Sequence, residues 1–362
     1  MVTIHVPLSY RPYDIVIGEN VLSSFAEQCG KLRLGSHAYI VTNTTLFRLY
    51  EDRLKSLCAG AGITCQFEVL PDSEKTKSFK YFQRLCEKVS TIDFRKKPFL
   101  VAFGGGVIGD LVGFTASVVK RGLPFVNIAT SFLAQIDSSV GGKTAIDLPQ
   151  GKNLVGTFWQ PSLVLIDTDL WKTLPDAQIK EGLAEAVKYG LLASPALFES
   201  LEKDHGKLFA RDNAYIEDII TRCVTIKRDI VLQDEREEKN IRTVLNLGHT
   251  VAHGLESVSR FRLSHGSAVS VGLVAALDLS AATGTLTDLN LIERVKRLLT
   301  DSDMPMTYRC RFHDEIMRAI LKDKKFADGL TKFVLVKSLG SVVVKNDVSL
   351  DLVRKSVESV TR

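Results

Sequence analysis

The sequence predicts an α/β N-terminal domain with a parallel sheet, followed by a mostly α-helical C-terminal domain. Up to about residue 167, segments with strand periodicity alternate with segments of helical periodicity, a pattern typical of a parallel sheet covered by helices on both faces. An apolar strand at 98–103 leads directly into three consecutive glycines, and helical patterns predominate after about residue 170. We therefore expect a Rossmann-like sheet in domain 1–171, a helical domain at 172–362, and a cleft shared by the two.

The elements follow from residue patterns along the chain. Short apolar or alternating runs rich in β-branched and aromatic residues predict strands at 3–8, 13–17, 38–42, 66–70, 98–103 and 164–167, and a further strand that ends in the hydroxyls of Thr130 and Ser131. Apolar residues at helical spacing predict intervening helices at 21–32, 46–61 and 78–89. The same spacing predicts later helices at 182–189, 215–231, 243–257, 268–282, 289–299 and 313–321. Two short strands, 333–336 and 341–344, and a final helix close the chain.

The composition is that of an ordinary globular chain of 362 residues, with 45% hydrophobic and 25% charged residues. The apolar runs are too short to span a membrane and the sequence opens without a signal-like segment, so we expect neither a membrane partner nor secretion. Six cysteines without CxxC spacing indicate reduced thiols and a cytoplasmic location. The net charge of +5 and the dispersed cations favour a small anionic substrate over nucleic acid.

A glycine-rich turn at 104–110 satisfies the pattern G-x-G-x-x-G between a predicted strand and a predicted helix. Glycines let the backbone approach a pyrophosphate, and the helix N-terminus offers N–H donors. The usual dinucleotide fingerprint also has an acidic residue about 20 residues later, but no Asp or Glu occurs between Asp110 and Asp137. We therefore expect a phosphate-binding turn of an unusual kind, with a ligand-free tight turn as the alternative.

Three cations in the following segment are candidates for binding an anionic group. Arg121, Lys143 and Lys152 lie near glycines or turn residues, and they either converge on an anion or remain solvated in loops. The segment 141–144 resembles the end of a P-loop, but Asp137 stands where that loop needs its first glycine. This excludes a nucleoside triphosphatase of the P-loop type.

Histidines near residue 250 form a candidate metal site. His249 and His253 are four residues apart in a predicted helix, so both imidazoles are expected on one face, with Asn246 one turn earlier and His265 further along the chain. Neutral imidazoles on a half-buried helix suit Zn²⁺ or a similar divalent ion, particularly if another helix adds a carboxylate. The glutamate of a metalloprotease helix is absent. Histidines hydrogen-bonded within the core are the alternative.

Together these motifs resemble the 3-dehydroquinate synthases, a branch of the sugar-phosphate cyclases, with the iron/zinc alcohol dehydrogenases as remoter relatives. The resemblance spans most of the chain and combines charged motifs that are far apart in sequence. The segments that carry it are Gly-Gly-Gly-Val-x-Gly-Asp at 104–110, Lys-Arg-Gly at 120–122, Asp-Ser-Ser-Val-Gly-Gly-Lys-Thr-Ala at 137–145, Gly-Lys-Asn at 151–153, Ala-Glu-x-x-Lys-Tyr-Gly at 184–190, Asp-Glu at 234–235, Arg-x-x-x-Asn-x-Gly-His-Thr-x-x-His-Gly at 242–254, His-Gly at 265–266 and Asp-Lys-Lys at 323–325.

The resemblance implies an enzyme, a phosphate-eliminating carbon–oxygen lyase of the shikimate pathway that supplies aromatic amino acid biosynthesis. Its substrate would be 3-deoxy-D-arabino-heptulosonate 7-phosphate and its products 3-dehydroquinate and phosphate. The implied steps are transient oxidation with NAD, loss of phosphate, reduction, ring opening and intramolecular aldol closure. A polyanionic substrate explains the lysines, and the resemblance also implies a homodimer.

The resemblance further implies the cofactors NAD and Zn²⁺ or Co²⁺, and a set of site residues. The metal would be held by Glu185, His249 and His265, with His253 as a non-ligand histidine for hydrogen bonding or proton transfer. Positions that match the substrate site are Asp137, Lys143, Lys188, Lys227, Arg242 and Asn246, with Lys152, Asn153 and Lys324 around the phosphate and carboxylate and Arg121 reaching a neighbouring subunit's phosphate. Positions that match the NAD site are Asn43, Glu74, Lys77, Gly105, Gly106, Val107, Asp110, Thr130, Ser131, Lys143 and Lys152.

Several positions depart from the family pattern. Asn43 and Thr45 replace an Asp and an Asn near the adenosine ribose, and because an amide pairs with hydroxyls more weakly than a carboxylate does, we expect a weaker or re-routed NAD contact. Asp147 replaces an Asn beside the lysines, and Ala177 lies in a segment that lacks the family's Arg-Glu pair. The turn ending at Asn240 is one residue longer and lacks its glycine, so we expect Asn240 to be left-handed.

Three other hypotheses fit the same residues less well. A different sugar-phosphate cyclase would share the metal and NAD sites but act on another heptulose phosphate. A polyol dehydrogenase of the same superfamily is disfavoured by the cluster of Lys143 and Lys152. A zinc-stabilised binding protein without catalytic activity would have no need of this combination of charged motifs.

Overall fold

The computed structural model describes residues 1–260, 262–310, 312–323 and 332–361. Lys324, which the resemblance assigns to the substrate site, lies outside these residues. The chain divides into two compact units. Unit 1 comprises Met1–Leu174 and Asn213–Leu232, and unit 2 comprises Pro175–Asp212 and Gln233–Arg362.

Unit 1 contains a mainly parallel sheet, as predicted. Its strands are β1 (Val2–Val6), β2 (Tyr13–Gly18), β3 (His37–Asn43), β4 (Thr64–Leu70), β5 (Pro98–Gly104), β6 (Phe125–Ala129), β7 (Lys143–Leu148), β8 (Gly151–Phe158) and β9 (Leu163–Asp167). Seven of them form one sheet in the order β1-β2-β9-β6-β5-β3-β4. Only β1 runs antiparallel to its neighbour within that sheet, which confirms the predicted fold class.

Helices surround the sheet of unit 1 and make up most of unit 2. The helices of unit 1 are α1 (Phe25–Lys31), α2 (Thr44–Gly60), α3 (Phe79–Ser90), α4 (Gly106–Val118) and α8 (Asn213–Gln233). Those of unit 2 are α5 (Asp176–Ala193), α6 (Pro195–Asp204), α7 (Gly206–Phe209), α9 (His249–Val258), α10 (His265–Ala282), α11 (Asn290–Asp301), α12 (His313–Asp323) and α13 (Leu350–Val360). Unit 2 also has the hairpin β10 (Phe333–Ser338) and β11 (Ser341–Lys345).

Strand β5 is buried along its whole length and supports the glycine turn that follows it. Phe99, Val101 and Phe103 pack into the core formed with α1 and α2, whereas Leu100 and Ala102 pack into the core formed with α3 and α4. This alternation follows from the two-residue period of a strand. Burial of each large apolar side chain contributes about 1.5–3 kcal/mol, so the backbone at the start of the turn is held firmly in the sheet.

Strands β7 and β8 form an antiparallel hairpin outside the seven-stranded sheet. The sequence pattern does not predict this hairpin, because lysines and glycines interrupt the alternation that identifies a strand. The preceding residues Ala134–Ser138 form a single π-helical turn. Such turns are rare and occur frequently at functional sites.

The core of unit 2 is built around α10, which packs very closely against α5. A Cβ atom on Gly266 would lie 2.5 Å from the Cα atom of Glu181, so only glycine fits there. By length and composition α10 is apolar enough to span a membrane, with a mean hydropathy of 1.3. However, 72% of it is buried inside the protein, as expected for the central helix of a helical core.

The predicted helix at 243–257 begins later in the structure. Residues Arg242–Asn246 form a 3-10 helix, and α9 starts only at His249. Gly248 separates the two with a left-handed φ of 78°, a conformation that glycine adopts at no steric cost. The prediction that Asn246 lies on the helical face of His249 is therefore wrong.

The division of the chain also differs from the predicted domains 1–171 and 172–362. The first boundary lies after Leu174, and α8 belongs to unit 1 by its contacts. Within that unit, Lys227 of α8 bonds to Asp137, and Glu217 of α8 lies 3.4 Å from the amino group of Met1. These ion pairs join residues that are distant in sequence, so helical periodicity gives no sign of them.

Candidate functional site

Glu185, His249 and His265, hereafter the triad, lie together in unit 2. Glu185 is in α5, and the two histidines are the first residues of α9 and α10. Glu185 Oε1 is 3.2 Å from His249 Nε2 and 3.1 Å from His265 Nε2, and the three ligand atoms all lie within 4.8 Å of one another. Two ligands on a tetrahedral zinc ion are about 3.3 Å apart, given bonds of about 2.0 Å. The triad therefore fits a divalent metal ion.

The second ring nitrogen of each histidine has an acceptor nearby. His249 Nδ1 lies 3.1 Å from the carbonyl oxygen of Leu247, and His265 Nδ1 lies 3.6 Å from Glu256 Oε1. An Nδ1–H directed at such an acceptor leaves Nε2 with a lone pair for a metal. The side chain of Glu181 adds a further restraint, because its Oε2 accepts the N–H of Gly266 at 2.6 Å.

The charges of the triad suit a cation. Burial raises the pKa of Glu185, but the charge of Lys188 and the two imidazoles outweigh burial and hold that pKa well below its usual value. Burial lowers the pKa of His249, against the opposing effect of Glu185. Burial also lowers the pKa of His265, but Glu185 and Glu256 outweigh it and raise that pKa to about 10. A metal bound here would therefore displace a proton from His265.

Two other predicted residues adjoin the triad. Lys188 is buried one turn after Glu185 in α5, and its ammonium group pairs with Oε2 of that carboxylate. The exposed His253 lies one turn after His249, with their ring centroids 5.4 Å apart. Lys188 thus offers a cation, and His253 a titratable ring, next to the atoms that would hold the metal.

Arg242 and Asn246 lie in the segment that leads into α9. The buried Arg242 donates from Nη1 to the carbonyl oxygen of Glu235 at 2.7 Å, and its Nε is 3.7 Å from Glu237 Oε1. Asn240 has a φ of 61°, so the predicted left-handed conformation is confirmed. Asn246 is exposed at the end of the 3-10 helix.

The glycine turn of unit 1 has the geometry of an anion site. Gly104 ends β5, Gly105 caps α4 and Gly106 is its first residue. A Cβ atom on Gly105 would lie 3.1 Å from Ser131 Oγ, and one on Gly106 would lie 3.0 Å from Ser138 Oγ. The turn thus leaves a side-chain-free space at the N-terminus of a 13-residue helix, where the N–H groups and the helix dipole favour a phosphate.

Other predicted NAD residues lie along the same strand ends. Val107 is half-buried in the first turn of α4, and the buried Thr130 donates its N–H to the carbonyl oxygen of Gly104 at 3.1 Å. Asn43 caps α2, because its Oδ1 accepts the N–H of Leu46 at 2.8 Å. Its Nδ2 donates to Asp72 Oδ1 at 3.2 Å, a contact that the sequence did not indicate.

Five predicted residues of unit 1 form two sets of contacts, linked by the chain neighbours Lys152 and Asn153, hereafter together the lysine network. The ammonium group of the buried Lys77 bonds to Asp110 Oδ2 and to Asn153 Oδ1. Lys152 Nζ lies 3.2 Å from Glu74 Oε1. The structure therefore brings the residues that follow β4, β5 and the β7–β8 turn to one place.

The remaining candidates of unit 1 lie in three places. Lys227 Nζ bonds to Asp137 through the backbone oxygen at 2.6 Å and through Oδ1 at 2.5 Å. Lys143 is exposed at the first position of β7. Arg121 is exposed with a left-handed φ of 64°.

Two glutamates beside the histidines, Glu256 and Glu181, are not among the site residues predicted from the sequence. Glu256 is buried seven residues after His249, and a buried carboxylate two helical turns from a candidate ligand was the available signal. Asp147 was noticed only as a departure from the family. It accepts the N–H of Asn153 at 2.8 Å and so contacts the lysine network directly.

Comparisons with known proteins extend over nearly the whole chain. A family model described as the 3-dehydroquinate synthase N-terminal domain matches residues 67–181. A second model, described as the 3-dehydroquinate synthase C-terminal domain, matches residues 182–326. The two matches are contiguous and cover more than half of the chain.

Curated relatives carry the same description. The 3-dehydroquinate synthase of Nitrobacter winogradskyi is 40% identical over 364 residues, which cover 98% of this chain and 94% of that protein. The 3-dehydroquinate synthase of Rhizobium etli is 41% identical over 356 residues, covering 96% and 93%. That of Coxiella burnetii is 38% identical over 347 residues, covering 95% of each.

Solved structures support the same fold. A 2-epi-5-epi-valiolone synthase from Streptomyces hygroscopicus, with NAD⁺ and Zn²⁺ bound, has a TM-score of 0.88 at 26% identity and covers 98% of each chain. A 2-deoxy-scyllo-inosose synthase complexed with carbaglucose-6-phosphate, NAD⁺ and Co²⁺ has a TM-score of 0.88 at 22% identity, covering 99% of this chain and 100% of that one. At the latter identity the likeness concerns the fold alone.

Proposed function

The chain belongs to the 3-dehydroquinate synthase family, and we propose that it converts 3-deoxy-D-arabino-heptulosonate 7-phosphate to 3-dehydroquinate and inorganic phosphate. The reaction combines transient NAD-dependent oxidation, phosphate elimination, reduction, ring opening and intramolecular aldol closure. It makes the protein a carbon–oxygen lyase of the shikimate pathway, which leads to chorismate and the aromatic amino acids. Relatives that are 38–41% identical over nearly their full length carry this activity in their names.

The observation that carries the proposal is the spacing of the triad. Glu185, His249 and His265 would hold Zn²⁺ or Co²⁺ with three protein ligands, which is the number expected of a catalytic site with an open position. A metal there supplies Lewis acidity and a fixed orientation for substrate oxygens. The ionised Glu185 would offset part of the charge of a divalent ion, and the adjacent Lys188 pairs with the other oxygen of the same carboxylate.

NAD would be bound in unit 1 by the glycine turn and the residues around it. The fit of NAD to these residues rests on the space beside Gly105 and Gly106. A Cβ atom at either position would reduce that space. The N-terminus of α4 offers N–H donors to the pyrophosphate. NAD supplies the hydride acceptor and donor when it is bound. Remaining NAD contacts are assigned to Asn43, Glu74, Lys77, Val107, Asp110, Thr130, Ser131, Lys143 and Lys152.

The substrate would be held mainly by cations. Lys143, Lys188, Lys227 and Arg242 are assigned to the sugar acid, with Asp137 and Asn246 as hydrogen-bond partners. Lys152, Asn153 and Lys324 are assigned to the phosphate and carboxylate, and Arg121 is assigned to the phosphate of a neighbouring subunit. A polyanion bound by several fixed cations is oriented as well as attracted. The Lys227–Asp137 pair supports this assignment, because each side chain fixes the position of the other.

His253 is assigned to proton transfer or hydrogen bonding, not to the metal. Its ring is exposed and lies 5.4 Å from the ring of His249, so it is near a metal-bound substrate without being one of the three ligands. An imidazole ring can both donate and accept a proton, so it suits proton exchange with a substrate hydroxyl. We further propose a cytoplasmic homodimer that binds neither nucleic acid nor membranes.

Phosphate release tests the proposed function. Purified protein supplied with 3-deoxy-D-arabino-heptulosonate 7-phosphate, NAD⁺ and Zn²⁺ is expected to release inorganic phosphate without net accumulation of NADH. No release with Zn²⁺ or with Co²⁺ would refute the proposal. Turnover of a heptulose phosphate in place of the heptulosonate would indicate another cyclase, and steady NADH accumulation would indicate a polyol dehydrogenase.

A further inference from the structure

The β7–β8 hairpin has an irregularity that centres on Asp147. Its register shifts between Ile146 and Leu148, so that residues 152–154 of β8 stand opposite Asp147 alone. Within that stretch Asn153 has a left-handed φ of 56°, which is unfavourable for a residue other than glycine. Irregularities of this kind re-aim side chains near functional sites.

Asp147 makes two contacts that a regular strand would not offer. Its N–H donates to the carbonyl oxygen of Lys77 at 2.8 Å, which docks the hairpin onto the segment after β4. Its Oδ1 accepts the N–H of Asn153 at 2.8 Å, which holds that residue in its left-handed conformation. The side chain is half-buried, so water competes only partly for these bonds.

The contacts continue through Asn153 into the lysine network. Asn153 Oδ1 accepts a hydrogen bond from the ammonium group of Lys77, which also bonds to Asp110 in α4. Lys77 therefore has one acceptor from the glycine-turn helix and one from the hairpin. The position of the hairpin acceptor depends on the bond between Asn153 and Asp147.

We propose that Asp147 is a positioning residue for the NAD site, which acts by fixing Asn153 so that Lys77 is held against Asp110. The proposal rests on the proposed function to the extent that Lys77 and Asp110 bind NAD. In this role Asp147 only accepts the N–H of Asn153. Any side chain with a carbonyl oxygen at the same place can do the same. The proposal assigns no direct contact between Asp147 and substrate or cofactor.

NAD⁺ binding to the full-length protein, measured by isothermal titration calorimetry without substrate, tests the proposal. Asp147→Ala is expected to raise the Kd for NAD⁺ about tenfold, the effect of losing about one hydrogen bond. Asp147→Asn is expected to stay within about twofold of wild type, because its amide oxygen accepts the same N–H. Wild-type affinity in Asp147→Ala, or an equal loss in Asp147→Asn, would overturn the proposal.

A matched control separates this effect from the general loss of a carboxylate. Asp93 also accepts a backbone N–H, that of Arg95 at 3.0 Å, and lies outside the lysine network. Asp93→Ala is expected to leave the Kd for NAD⁺ unchanged, and a comparable rise in that variant would contradict the role given to Asp147. Circular dichroism monitors folding, and Asp147→Val, whose side chain also lacks an acceptor, replaces the alanine variant if the latter does not fold.

A double-mutant cycle tests whether Asp147 acts through the side chain of Asn153. Asn153→Gly removes that side chain and tolerates the left-handed backbone. In this background Asp147→Ala is expected to change the Kd for NAD⁺ by less than about twofold. The same tenfold rise in both backgrounds would show that the two residues act independently, against the proposal.

The same protein preparations distinguish this proposal from the proposed function. If wild type releases phosphate but Asp147→Ala binds NAD⁺ with wild-type affinity, the role proposed for Asp147 is wrong and the proposed function is supported. If wild type and the variants bind NAD⁺ with the expected affinities but wild type releases no phosphate, the proposed function is wrong and the role proposed for Asp147 is supported. Wild-type protein that binds no NAD⁺ would overturn both.

Discussion

The triad in unit 2 and the lysine network in unit 1 organise charge in opposite ways. In the triad, one carboxylate oxygen lies 3.2 and 3.1 Å from two imidazole nitrogens, so three ligand atoms face one point. In the lysine network, Lys77 and Lys152 are already paired with carboxylates or amide oxygens of other elements. We infer that the triad is arranged for an added cation, and that internal pairing in the lysine network keeps its donors in place for a larger ligand.

This difference predicts different responses to substitution. Removal of one triad ligand should abolish metal binding, because a three-residue site has no spare donor. Removal of one member of the lysine network should weaken NAD⁺ binding only partly, because several donors would contact the same NAD⁺ molecule. Three substitutions follow in descending order of expected effect, two at the triad and its neighbour Glu256 and one in unit 1 outside the lysine network.

Glu185→Gln is expected to have the largest effect. It should lower phosphate release at least about a thousandfold through loss of the metal. It should also destabilise the metal-free protein by about 3–5 kcal/mol, because the buried Lys188 loses the negative charge of the Glu185 carboxylate. Metal analysis and urea denaturation measure the two effects. Full metal content in this variant would contradict the assignment of Glu185 as a ligand.

Glu256→Gln is expected to weaken the metal site without removing a ligand. Glu256 is buried and lies 3.6 Å from His265 Nδ1, and loss of such a carboxylate typically lowers metal affinity about 10–100-fold. Competition with a chromophoric chelator measures the affinity for Zn²⁺. The exposed Glu293 of α11 provides a matched control, and equal losses in Glu293→Gln and Glu256→Gln would rule out a local role.

Asn43→Asp is expected to have the smallest effect, and it concerns unit 1. An aspartate can still cap α2, but it loses the bond that Asn43 donates to Asp72 at 3.2 Å and places two carboxylates together. We expect a loss of about 0.5–1 kcal/mol in stability by urea denaturation. The double variant Asn43→Asp with Asp72→Asn is expected to recover it, and an equal loss in the double variant would exclude repulsion as the cause.

Much of the fold was predictable because its signals are local. The seven-stranded sheet follows from apolar runs such as 98–103, and the glycine turn follows from its pattern of residues. The helix at 243–257 was misplaced because a single left-handed glycine, Gly248, interrupts a pattern that otherwise looks continuous. Periodicity reports which residues are apolar, but it does not report where the backbone changes direction.

The candidate site was predictable only where charged residues have recognisable spacing. The two histidines four apart pointed to a metal, but they did not identify His249 and His265, rather than His253, as the pair that meets Glu185. That choice came from family resemblance. Asp147 and Glu256 remained unassigned because each acts on a residue several positions away, through contacts that depend on the folded turn or helix.

Metal content and phosphate release of wild type beside His249→Ala test the central claim most directly. Wild type is expected to retain about one Zn²⁺ per chain and to release phosphate from the heptulosonate phosphate. His249→Ala is expected to lose both, while His205→Ala, a histidine in unit 2 outside the triad, keeps both. Metal content and turnover in His249→Ala equal to those of wild type would contradict the account.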